Sequence, residues 1–173
     1  MSRSDEAWEA EVKAVWALAN ELSPENLVKA VDALAEERAP DDANALFERA
    51  CARDTAGYEY EAEPFYRAAL ASGKLDPYRS TRASIQLAST LRILGQLDES
   101  ETLLVAELDR HMLPGHDRAL HDEARAILAL TYVAQGRERE AAGLALCVLA
   151  PRLSRYNRSM LGNALPLVKN SWT

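Results

Sequence analysis

Histidines, cysteines and clustered carboxylates are where metal binding or catalysis would begin, and this chain offers one small grouping of each. His111, His116 and His121 are its three histidines, and all fall in or beside one segment that also holds Asp117 and Asp122. A step of five residues turns a helix by roughly 500°, about 140° off a common face. Helical zinc pairs sit four apart, as in HExxH, which is absent. The spacing therefore predicts a polar loop and no metal, a loose site with Asp117 and Asp122 being the sharper alternative. Glu59, Glu61 and Glu63 alternate with Tyr58, Tyr60 and Ala62. Carboxylates at a helix start complement its dipole, and no ligand-rich loop of the EF-hand kind accompanies them. Cys51 and Cys147 lie far apart, with no CxxC pattern and no disulfide framework.

Covalent or acid–base catalysis needs a nucleophile with a base and an orienting group, or a paired acid and base, or a cofactor loop. The chain shows no GxSxG, no GxxxxGK[S/T], no GxGxxG and no Cys–His signature. The expectation is a protein with no catalytic residue, no cofactor and no enzymatic activity.

The elements that would carry any site are helices. Ala, Leu, Glu and Arg dominate, Val and Ile are sparse, and no alternating strand-like run stands out. An apolar fraction of 48% and a charged fraction of 27% belong to a folded chain, and 173 residues suit one domain over 1–173. A net charge of −7 argues against a nucleic-acid partner, which needs Lys and Arg against phosphates. The charge is uneven: residues 1–64 carry 16 acids and 6 bases, while 151–173 carry Arg152, Arg155, Arg158 and Lys169 with no acid. Such blocks are ordinarily solvated surface, and a contact between acidic start and basic end is the sharper reading. The opening residues run into a charged amphipathic helix with no signal-peptide pattern, and no apolar run approaches the roughly 20 residues of a membrane span. A cytoplasmic protein without a membrane partner is expected.

One phrase recurs. Gly57-Tyr-Glu-Tyr-Glu61-Ala62, Gly95-Gln-Leu-Asp-Glu99-Ser100 and Gly136-Arg-Glu-Arg-Glu140-Ala141 all read G-x-x-x-E-[A/S], at intervals of 38 and 41 residues. Seven residues before each Gly stands Ala50, Ala88 or Ala129, and nine after it Tyr66, Leu104 or Ala145. A small residue lets two helices approach, bulky ones fill the space beside it, and the Gly closes the first helix in a left-handed conformation. This pattern resembles the tetratricopeptide repeat family over about 42–150. It comes closest to short bacterial members at 42–77, in Gly57-x-Glu-x-Glu-Ala62-x-Pro64-x-Tyr66-Arg-x-Ala-Leu70. The repeats exceed the family's usual length, Arg53 stands where an apolar residue is expected, and Glu107 replaces a small one.

The resemblance implies an all-α fold of stacked antiparallel hairpins, a right-handed α-solenoid. It would comprise an N-terminal helical pair (1–40), three repeats (41–150) and a capping helix with tail (151–173). Helices are expected at 4–22, 24–38, 42–55, 58–72, 77–94, 97–111, 117–134, 137–150 and 154–168. Ser23-Pro24, Asp42 and Asp76-Pro77 mark starts. The family's concave face falls on Asn44, Phe47, Cys51, Asp54 and Thr55, then Arg82, Ile85, Ser89, Arg92 and Ile93, then Glu123, Ala126, Leu130, Val133 and Ala134. Arg82, Ser89 and Arg92 share a face at spacings of seven and three. With Asn44 and Gln86 near, they would hold a carboxylate or an extended peptide backbone, unless the arginines simply pair with neighbouring acids. The carboxylate clamp of some relatives is not reproduced: Phe47 and Cys51 stand where it has Lys and Asn, and Glu123 and Ile127 where it has Lys and Arg. Trp8, Trp16 and Phe47 are expected in the core rather than as binding anchors. The function expected is a protein- or peptide-binding scaffold. The alternatives are a self-associating (homodimeric) module, a small-ligand sensor, or a groove filled by the chain's own last helix.

Overall fold

The structure, a computed structural model, describes residues 4–114 and 118–169. Its elements are α1 (Asp5–Ala17), α2 (Pro24–Ala35), α3 (Ala43–Thr55), α4 (Glu59–Ala71), α5 (Pro77–Ile93), α6 (Leu97–His111), α7 (His121–Ala134), α8 (Glu138–Leu149) and α9 (Asn157–Ala164), with 3₁₀ turns at Ala150–Arg152 and Leu165–Leu167. Among the described residues there is no strand, and consecutive helices pack as pairs: an all-α helical-repeat protein.

Local chemistry sets the helix ends. Ser23 Oγ accepts from Asn26 N–H ahead of Pro24, and Asp42 caps α3 by accepting from Ala45 N–H at 2.9 Å. Asp76 does the same for Arg79 N–H at 2.9 Å. The repeated glycines take φ of +77°, +79° and +73° at Gly57, Gly95 and Gly136. In each case the following amide reaches five residues back: Tyr58 N–H to Arg53 O, Gln96 N–H to Leu91 O and Arg137 N–H to Tyr132 O, all at 2.8 Å. This is the closure in which a left-handed residue satisfies orphan carbonyls and turns the chain at once.

The chain divides into two compact units, with the boundary inside α5 after Ala83. In the first unit Trp8, Val12, Ala35 and Ala45 form one cluster, and Leu27, Val31 and Ala52 form another. The Trp8 indole donates to Leu34 O at 2.8 Å while Arg38 lies over its ring. Phe47 and Tyr66 pack with ring centroids 6.4 Å apart. Arg53, out of place by the family pattern, makes a two-pronged ion pair with Asp32 of α2 (2.8 and 2.9 Å) and lies over Phe65. Fork-shaped pairing of this kind is what a guanidinium does best.

In the second unit Ile85 and Ala88 of α5 meet Leu104 and Leu108 of α6, Ala124 and Leu128 of α7, and Leu144 of α8. Ser100, the repeat's small residue in polar form, donates to Ala88 O at 2.7 Å and lies 3.0 Å from Thr131 Oγ1. The C-terminal segment packs against α8, where a Cβ built on Gly143 would lie 2.6 Å from Leu167 Cβ and 2.9 Å from Val168 Cγ2. The last helix therefore docks on the second helix of the final hairpin, not on a face of first helices.

Several helix ends differ from the sequence reading, and α2 for one stops at Ala35 and not at 38. α1 stops at Ala17, where Leu18 N–H turns back to Val15 O. α7 starts at His121 because Leu120 takes φ +63°. The last helix is only Asn157–Ala164: Tyr156 takes φ +67° before it, and a 3₁₀ turn containing Pro166 follows it.

Candidate functional site

Within the first unit, α1, α3 and the start of α5 contribute to a shallow cleft of about 360 Å³ lined by Glu9, Val12, Lys13, Trp16, Glu48, Arg79 and Arg82. These are the first helices of their pairs. Glu48 is only 4% exposed, and its Oε2 accepts the Trp16 indole N–H at 2.7 Å. Burial pushes its carboxyl above the usual range, opposed by the Trp16 hydrogen bond and by the positive charges of Arg79 and Arg82. Arg79 is committed to Glu9 and, at 3.3 Å, to Asp76. The half-buried Arg82 lies over the Phe47 ring, 5.3 Å from its centroid, and forms no ion pair within 4.0 Å among the described residues. Stacking on an aromatic face leaves the edge of a guanidinium free to donate.

The residues singled out from sequence separate on inspection. Phe47 (0% exposed), Cys51 (1%) and Ile85 (6%) are core side chains and line no open surface. Phe47 is covered by Tyr66 and Arg82, and Ile85 belongs to the core of the second unit. Asn44 is half-buried, with an amide oxygen that is enclosed and accepts no hydrogen bond. Asp54 accepts from the Tyr66 hydroxyl at 3.2 Å. Arg82 stays in the first unit, whereas Gln86, Ser89 and Arg92, all half-buried, belong to the second. There α7 presents Glu123, Leu130 and Val133 to solvent. Of the aromatic trio, Trp8 and Phe47 are core, while Trp16 is half-buried and reaches the cleft.

Sequence reasoning missed Glu9, Lys13, Glu48 and Arg79. The repeat phrase starts after them or skips their positions, so α1 was counted as an end piece. Its amphipathic pattern carried the missing signal: Glu9, Lys13 and Trp16 are spaced four and three apart, one helical face.

Burial pushes the Cys51 thiol up to about 12, and the Cys147 thiol is raised by the same cause. Thiols so shifted are poor nucleophiles. No three His, Cys, Asp or Glu side chains among the described residues converge to hold a metal ion. His116 and Asp117 lie outside them. No helix among them is long and apolar enough to cross a membrane. The basic C-terminal segment finds acids in its own unit, Lys169 with Glu140 at 3.2 Å and Arg152 with Asp122 at 2.5 Å.

Among curated proteins and among solved structures, nothing matches the chain. The family model described as tetratrico peptide repeat matches residues 43–167. With most of its length covered by that match and its helices paired as such repeats require, the chain belongs to the tetratrico peptide repeat family.

Proposed function

We propose that the chain is a protein-binding scaffold whose cleft in the first unit receives an extended peptide, with a carboxylate of that peptide against Arg82 and Lys13. Tetratrico peptide repeats generally mediate protein–protein interaction, and membership of that family supports the scaffold reading. One observation carries the finer reading. Arg82 is a half-buried guanidinium on a cleft wall, lying over Phe47 with no carboxylate oxygen within 4.0 Å among the described residues. The lining holds Lys13, Arg79 and Arg82 against Glu9 and Glu48, which leaves positive charge in excess. Glu48 and Trp16 form a polar floor able to orient a backbone. An open cleft suits a chain segment better than an enclosed metabolite, so a small-ligand sensor has less support, and no catalytic role is assigned.

Display of a random peptide library on the native protein and on Lys13→Glu and Arg82→Gln variants of equal stability tests the reading. Peptides enriched on the native protein should carry an acidic residue or end in a free carboxylate. Hydrogen bonds to charged groups contribute about 1.5–3 kcal/mol, so each variant should weaken binding by about tenfold or more. Enrichment of the same peptides on all three proteins would refute the cleft assignment.

A further inference from the structure

In the second unit, two opposite charges on the first helices have no partner among the described residues. Arg92 of α5 is half-buried and forms no ion pair within 4.0 Å, and its Nε is enclosed and donates to nothing. Glu123, in the first turn of α7, is exposed and likewise forms no ion pair. Water satisfies an exposed glutamate, but an enclosed guanidinium N–H without an acceptor has lost its hydration and gained no replacement. The surface between the two charges is apolar. Leu130 and Val133 of α7 and Ile93 of α5 each stand about half in solvent, and Ala126 and Ala134 are exposed beside them. Glu123, Ala126, Leu130 and Val133 follow one another at steps of three and four, a single stripe along α7.

Ser100 sets the register of the two helices. Its hydroxyl donates to Ala88 O of α5 and lies 3.0 Å from Thr131 Oγ1 of α7, so Ala88 and Thr131 stand side by side at the start of α6. In stacked hairpins the first helices run the same way. Arg92 comes one turn after the level of Ala88 and Glu123 two turns before that of Thr131, which separates the charges by about 18 Å along the helix axes. The level halfway between them is that of Leu130. The face thus carries a cation at one end of one helix, an anion at the other end of the next, and leucine at its middle. Half a turn about a line through that middle puts each cation where an anion stood. Two copies related by such an axis satisfy both charges at once, because an isologous contact is used twice. An unrelated partner would have to carry both signs at this separation in reversed order.

We propose that this face is a two-fold interface with a second copy of the chain, in which Arg92 of each copy pairs with Glu123 of the other and Leu130 packs near the axis. Two short helices bury little area, so the dimer is at the weak end of specific interfaces. Its charge pairs then decide whether it forms. The interface uses no residue of the cleft in the first unit.

Sedimentation of the full chain at about 100 μM, above the micromolar range of a modest interface, should show a species of twice the chain mass. Leu130→Glu should abolish it. Arg92→Glu and Glu123→Arg each turn two attractions into two repulsions, so each alone should weaken the dimer by about a hundredfold or more. Mixing these two variants in equal amounts restores both pairs, and the mixture should dimerise although neither component does. Glu123 and Leu130 are exposed, so those variants keep the fold and carry the test even if Arg92→Glu melts lower. A native chain that stays monomeric at this concentration would overturn the proposal. So would a dimer that survives Leu130→Glu or Glu123→Arg, or well-folded single variants whose mixture remains monomeric.

Discussion

Alanine in place of Gly143 separates two effects of opposite sign. Gly143 sits inside α8, where glycine is less favourable than alanine by about 0.8–1 kcal/mol, so propensity alone makes Gly143→Ala stabilising. Packing says otherwise. The new methyl would lie 2.6 Å from Leu167 Cβ, 2.9 Å from Val168 Cγ2 and 3.2 Å from Ala164 O, and the last of these is backbone that cannot rotate away. Inserting a methyl into such a contact costs about 1–3 kcal/mol, and contacts this short belong at the upper end. The net is a loss of about 1–2 kcal/mol, a fall of roughly 2–8 °C in the melting temperature at this chain length. Gly162→Ala is the control: Gly162 lies in α9, is exposed and would find nothing within 4 Å of its new methyl. It should stabilise by about 0.5–1 kcal/mol. Calorimetry on both variants checks the pair, with amide exchange in α8 showing where the loss falls. If Gly143→Ala melts as high as Gly162→Ala, the C-terminal segment does not seat on α8 as described.

Three further outcomes follow from buried groups. Cys51 and Cys147 are buried, with thiols shifted upward by that burial, so a disulfide-exchange reagent at pH 8 should label neither in the native protein and both in denaturant. Rapid native labelling would show that one of them is accessible. Glu48, whose folded carboxyl is raised by burial, favours the fold when protonated; that contribution is present below about pH 4.3 and is lost as pH rises through the folded value. Glu48→Gln should therefore be more stable than the native protein in urea at pH 7 and nearly equal to it at pH 4. A less stable variant at pH 7 would mean that attraction to Arg79 and Arg82 outweighs burial. Glu140 runs the other way: the Arg137 hydrogen bonds, with help from Lys169, hold its carboxyl down at about 2. Its contribution is present above about pH 4.3 and disappears as pH falls toward 2. Arg137→Gln should flatten the decline of melting temperature over that window, and an unchanged slope would count against the pairing.

The repeat phrase carried most of the fold, because each of its positions has a local physical duty. Gly57, Gly95 and Gly136 close helices with positive φ, and Ala50, Ala88, Ala62 and Ser100 are buried at close approaches. Ser23, Asp42 and Asp76 marked true starts for the same local reason. Leu120 and Tyr156 also turn left-handed, and nothing in their side chains announces it; a loop reading could not place those boundaries. The site was less legible. Positions inherited from the family pattern put Phe47, Cys51 and Ile85 on an open face, but neighbouring side chains close over them. Glu9, Lys13 and Glu48 reach the cleft through helix packing across tens of residues, which spacing within one helix does not reveal. His111 and His121 meet for the same reason: a spacing of ten is meaningless on one helix and short across a helical turn-back.

The central claim is that the cleft of the first unit takes the partner, and a photo-crosslinking residue at Lys13 tests it most directly. Lys13 is exposed on the cleft wall, and Tyr60 on α4, 81% exposed and not among the cleft's lining residues, is the matched control position. Irradiation in the native lysate should yield a discrete adduct from position 13, lost when Arg82→Gln is added, and no such adduct from position 60. Equal adducts from both positions, or one from position 13 that survives Arg82→Gln, would contradict the account.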